Sequence, residues 1–176
     1  MKYSSNTHFY KILLVVGLMV AFLSSCTEVK KREPATYLIP EGYVGSLYIV
    51  FNAPNGQPPK YEGNSRVYHI PPSGVLVTQM DANEGWSESS EIKYFSVSQS
   101  GKRAPISTVS EDTPDNKRAL YSGGLGEAGP IFGCTVINKK FTIGTKSERT
   151  DSNKLLTIFE AIKVKNIDKK LFEGMC

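Results

Sequence analysis

The stretch Ser46-Leu47-Tyr48-Ile49-Val50-Phe51 alternates along its length. A period of two puts Leu47, Ile49 and Phe51 on one face of an extended chain and Ser46, Tyr48 and Val50 on the other. The segment therefore predicts a β-strand. Turn chemistry brackets it. Ile39-Pro40-Glu41-Gly42 precedes it, and Ala53-Pro54-Asn55-Gly56-Gln57-Pro58-Pro59 follows. Asn-Gly and paired prolines cannot continue a central strand.

The same punctuation recurs outward from this point. Arg66–Ile70 reads as a strand, Pro71-Pro72-Ser73-Gly74 turns the chain, and Val75–Met80 reads as the return. Asp81–Trp86 is a loop carrying the single tryptophan, and Glu91–Val97 alternates again. Residues 98–130 are polar and rich in Gly, Pro and Ser, which predicts a long loop with one short strand at Ala119–Tyr121. Ile131–Ile137 and Lys140–Thr145 predict a hairpin around Asn138-Lys139. The period then changes. Leu155, Ile158, Phe159 and Ile162 fall at helix spacing, so one amphipathic helix is expected over Ser152–Lys165, its apolar stripe against the sheet. The fold expected is mainly β: a single antiparallel β-sandwich or barrel-like domain with one amphipathic helix near the C-terminus.

The N-terminus reads differently. Lys2 and Lys11 are basic, no acidic residue precedes Cys26, and Ile12–Leu23 is uniformly apolar. That is the build of a secretory signal peptide and is short for a transmembrane span. Leu23-Ser24-Ser25-Cys26 resembles the bacterial lipobox, which implies cleavage after Ser25 and lipidation of the Cys26 thiol. The expected organisation is a signal peptide at 1–25, a lipidated cysteine and polar tether at 26–36, and a β-rich domain at 37–176. Each buried CH₂ contributes about 0.8 kcal/mol, so several acyl chains on one cysteine hold a domain at a membrane indefinitely. Thr27 in place of Asp after the cysteine resembles the pattern of outer-membrane lipoproteins.

Composition narrows the partners. The net charge is +4, and loss of Lys2 and Lys11 with the signal brings it close to neutral. A nucleic-acid partner is not expected. Cys134 and Cys176 are the cysteines left after lipidation. In an oxidising compartment they can form a disulfide, and the alternative is two unpaired thiols.

Chemistry is sparse. His69 is the only histidine beyond the signal peptide, and no His/Cys cluster suits a metal. Neither Ser73 nor Cys134 has the context of a catalytic nucleophile. Gly124-Leu125-Gly126-Glu127-Ala128-Gly129 satisfies a dinucleotide-binding spacing, but Pro130 and a β-like run follow where a helix must open. It reads as a flexible loop. No cofactor or metal is expected. Glu84, Glu88 and Glu91 near Trp86 are candidate carboxylates for glycan hydrolysis. Tyr43, His69, Glu84 and Trp86 are the candidate binding residues.

Three motifs carry a family resemblance: Ile39-Pro40-Glu41-Gly42-Tyr43-Val44-Gly45, Ile70-Pro71-Pro72-Ser73-Gly74 and Glu84-Gly85-Trp86, with Phe141-Thr142-Ile143-Gly144-Thr145 as a late fourth. Together they resemble a family of exported bacterial proteins known only as a domain of unknown function, over about Tyr37–Thr145. The resemblance implies no activity and transfers no catalytic residue. The function expected is a non-enzymatic, membrane-anchored envelope lipoprotein that binds a protein or glycan. An envelope glycan hydrolase and an immunity or inhibitor lipoprotein are the alternatives.

Overall fold

The computed structural model describes residues 30–151 and 154–176. The signal segment, the Ser25 cleavage position and Cys26 lie outside the described residues.

Among the described residues, nine strands form: β1 (Ala35–Pro40), β2 (Gly45–Val50), β3 (Tyr61–Glu62), β4 (Ser65–His69), β5 (Val75–Val77), β6 (Ile92–Val97), β7 (Arg103–Pro105), β8 (Ala119–Ile131) and β9 (Cys134–Gly144). They divide into a five-stranded sheet, β3-β4-β1-β6-β7, and a four-stranded sheet, β5-β2-β9-β8. The chain shuttles between them. β1 lies in the first sheet, β2 in the second, β3 and β4 in the first, β5 in the second, and so on to β8 and β9.

That shuttling corrects the expected all-antiparallel pairing. Strands β4, β5 and β6 each return to their sheet in the direction of an earlier strand there. β1 accordingly pairs in parallel with both β4 and β6, and β2 in parallel with β5. Antiparallel pairing is confined to β3–β4, β6–β7, β2–β9 and β8–β9. Both sheets are mixed and open, so the barrel alternative does not hold and a sandwich describes the fold.

β2 explains the layering. Leu47, Ile49 and Phe51 enter the core between the sheets, with Tyr37 and Ile39 of β1, Tyr68 of β4 and Phe141 and Ile143 of β9. Tyr48 and Val50 enter a second core on the opposite face, closed by Ile158, Ala161 and Ile162 of the helix α1 (Ile158–Val164) and by Phe172. Both faces of β2 are thus buried. A disulfide joins Cys134, at the start of β9, to Cys176, with Cα atoms 5.6 Å apart. It closes the C-terminal layer onto the second sheet.

Four local expectations change. Residues 98–130 hold β7 and most of β8, and the Gly124–Gly129 run lies within β8, a strand and not a flexible loop. Its ladder with β9 needs only backbone groups, which glycine supplies as well as valine does. The hairpin turns at Phe132-Gly133, where both residues have positive φ, as a two-residue turn of the primed kind requires. Asn138 and Lys139 lie mid-strand, opposite Val50 and Ile49. The helix begins at Ile158, because Thr157 caps it: its side chain accepts from the Glu160 amide while the Glu160 carboxylate accepts from the Thr157 amide.

Candidate functional site

The N-terminal segment expected to be a tether is docked from Lys31 onward. The Arg32 amide donates to the Trp86 carbonyl at 2.9 Å, and Arg32 Nε donates to the Gly85 carbonyl at 2.8 Å. Lys31 Nζ lies 2.7 Å from Glu91 and 5.2 Å from the centre of the Trp86 ring. The Glu84-Gly85-Trp86 motif is therefore a clamp for the strand that leads into β1.

The other motifs are structural too. The Tyr43 hydroxyl donates to the Ser46 carbonyl at 2.7 Å, and its ring lies against Gly74. Gly74 has φ near +79°, and a Cβ there would meet Tyr43 Cζ at 2.6 Å. The two Pro/Gly motifs interlock through this contact. Gly74→Ala is expected to cost about 3 kcal/mol, from left-handed strain plus overpacking. Urea unfolding measures it, and Tyr43→Ala in the same chain should restore part of the loss.

Between the sheets lies a cavity of about 340 Å³. Tyr37 and Tyr68 line it from the first sheet, Phe51 and Lys139 from the second, and Arg32 and Glu84 from the clamp. Ser122–Leu125 complete the wall, at a break in register between β8 and β9. Such irregularities re-aim side chains beside binding sites. Tyr37 and Tyr68 stack on each other, with ring centres 5.0 Å apart.

Arg66, which is buried, and Lys139, which is half-buried, behave differently. Arg66 is compensated: Nε lies 2.7 Å from Glu33 Oε2, and Nη1 2.8 Å from Asp81 Oδ1. Lys139 has no carboxylate partner among the described residues. Its Nζ donates to the Tyr37 hydroxyl at 3.4 Å and lies 5.2 Å from the Phe141 ring centre. Burial, reinforced by the nearby Arg32 charge, pulls the Lys139 amine down to about 8. The Tyr68 hydroxyl is buried beside the Arg66 guanidinium.

The candidate residues read from the sequence do not converge. Glu84 lines this cavity. Tyr43 lies in the motif contact, on a separate hollow beside Ile106 and Arg118. His69 lines an open groove at the carboxyl ends of β1, β4 and β6. Trp86 is 47% exposed beneath Lys31. Alternation gives each residue's face but not which strands lie opposite, so proximity in sequence misled. The carboxylate set is likewise dispersed: Glu91 is held by Lys31 and by the Glu88 amide, leaving Glu84 as the only carboxylate on the cavity wall among the described residues. The two facing carboxyl groups of a glycosidase are not assembled there. Among the described residues, no three His, Cys, Asp or Glu side chains form a metal-ligand set.

Sequence reasoning missed Lys139, Arg32, Tyr37 and Tyr68. One signal was available: Lys139 and Lys140 interrupt an otherwise strand-like run, and in a strand one of two neighbouring residues must face inward.

These features define a two-sheet β-sandwich with a helix-covered back face and a cationic cavity between its sheets. The chain belongs to the family of unknown function DUF6843, whose model matches residues 31–154. That match begins where the clamp begins. No curated protein matches the chain. Its fold is similar to the crystal structure of a protein assigned as a lipoprotein from Bacillus anthracis, with a TM-score of 0.55 and 17% identity. The similarity covers 80% of this chain and 95% of that one.

Proposed function

We propose that this protein is a lipid-anchored lipoprotein of the bacterial cell envelope, held through Cys26, whose β-sandwich binds a ligand and performs no catalysis. The observation that carries the reading is Leu23-Ser24-Ser25-Cys26 directly after the apolar Ile12–Leu23 segment. The Cys134–Cys176 disulfide supports it, because such bridges persist in oxidising compartments. The lipoprotein assignment of the Bacillus anthracis protein of similar fold also supports it. Thr27 after the cysteine favours the outer membrane where the cell has one. The binding role rests on a cavity that presents two cations and a single carboxylate.

Labelling with radioactive palmitate tests the anchor. The wild-type chain should take up label and sediment with membranes. Cys26→Ala should lose the label entirely and appear in the soluble fraction. Equal labelling of the two would overturn the proposal.

A further inference from the structure

We infer that the cavity between the sheets binds a hydroxylated organic monoanion, of the class of an acidic monosaccharide, with its carboxylate between Arg32 and Lys139. This deepens the binding role proposed above and rests on it.

A buried cation is normally compensated, as Arg66 is by Glu33 and Asp81. Arg32 and Lys139 line one cavity, and neither forms an ion pair among the described residues. The Arg32 guanidinium is anchored through Nε to the Gly85 carbonyl, which fixes it at the wall. Two fixed, unpaired cations on one cavity are complementary to an anion. The wall also carries Glu84, so the balance is one positive charge. That suits a carboxylate better than a phosphate dianion.

The Tyr68 ring lines the cavity, and its hydroxyl is turned to the Arg66 guanidinium, so hydrogen bonding to a ligand falls to the cavity's charged groups. Glu84 adds an acceptor that can take only donors. A ligand bearing hydroxyl groups supplies those donors, whereas a bare inorganic anion neither serves Glu84 nor fills the ring-sized space. At about 340 Å³ the cavity is at the small end for organic ligands. It holds one ring, not a chain of them.

The wall at Ser122–Leu125 departs from the regular ladder, and a side chain added at Gly124 would meet nothing within 4 Å. Gly124 lies exposed at the cavity rim, with room for a larger side chain. Filling that space is a way to block the site without touching its charges.

The test uses the full-length chain in detergent micelles, titrated with D-glucuronate, D-glucose and inorganic phosphate and followed by NMR shift changes. Glucuronate should bind at least tenfold more tightly than either control. Lys139→Met, Arg32→Gln and Gly124→Leu should each weaken it at least tenfold, with unfolding midpoints showing that the variants are folded. The wild-type affinity should also fall above pH 8, as Lys139 loses its proton. Equal binding of glucose and glucuronate overturns the inference. So does phosphate binding as tightly as glucuronate, or glucuronate binding undiminished in the folded variants. A chain that takes up palmitate but ignores glucuronate refutes this inference alone and leaves the anchor standing.

Discussion

Removing the Cys134–Cys176 bridge is expected to cost about 4 kcal/mol of stability, the chain entropy released when a link across 42 residues is cut. The double variant Cys134→Ala/Cys176→Ala is the cleanest form, since it leaves no free thiol. The loss should not spread evenly. The bridged segment contains α1 and Phe172, which cover the outer face of the second sheet. Few polar contacts tie that layer down: the Tyr48 hydroxyl donates to the Leu156 carbonyl at 2.9 Å, and Asn55 Nδ2 donates to the Lys170 and Glu173 carbonyls at 3.0 and 3.3 Å. Without the bridge the layer is held by apolar contact at Ile158, Ala161, Ile162 and Phe172. Urea unfolding should show a lower midpoint. Hydrogen exchange should show α1 amides exchanging much faster while those of β1 and β4 change little. A loss under 1 kcal/mol would mean that apolar packing alone fixes the C-terminal layer.

What could be read from the sequence depended on the range of the interaction involved. β2, β4 and β6 were legible because alternation and flanking turns are local properties of Ser46–Phe51, Arg66–Ile70 and Glu91–Val97. Their pairing was not, because it depends on the chain crossing between sheets at Glu41–Val44 and Pro71–Gly74. β8 was hidden by its composition. As the last strand of its sheet it is bonded mainly to β9 and has largely exposed side chains, so Gly and Ser cost it little. The helix start was locally written, in the Thr157-Ile158-Phe159-Glu160 capping box; reading Thr150 and Asp151 as the caps, with the apolar spacing from Leu155, placed it too early. The cavity was least legible. Lys139 looked like a turn residue beside Asn138, and Arg32 like part of a tether. Only the β9 register and the Arg32–Gly85 bond bring them to one wall.

Stability is expected to rise between pH 8 and 10 and to fall steeply above pH 10. The rising limb belongs to Lys139. Its amine is drawn down to about 8 in the folded chain from an ordinary value of 10.5. Between those values the unfolded chain holds a proton that the folded chain does not, so stability increases with pH. The falling limb belongs to the tyrosines. Burial pushes the Tyr43 and Tyr48 hydroxyls up to about 12 and raises those of Tyr37, Tyr68 and Tyr94. Above pH 10 the unfolded tyrosines ionise while the folded ones stay protonated, and stability present below pH 10 is lost. At about 1.4 kcal/mol per pH unit, Tyr43 and Tyr48 account for about 4 kcal/mol by pH 12, with some reduction for the half-buried Tyr43. That is a large part of the roughly 5–15 kcal/mol that stabilises a domain. Chemical denaturation across pH 7–12 measures both limbs. Tyr48→Phe should make the upper limb shallower, and Lys139→Met should abolish the lower one. A wild-type profile flat between pH 8 and 10 would show that Lys139 keeps its charge at little cost. A bound carboxylate should flatten the lower limb as well, because it supplies the counter-charge that Lys139 lacks.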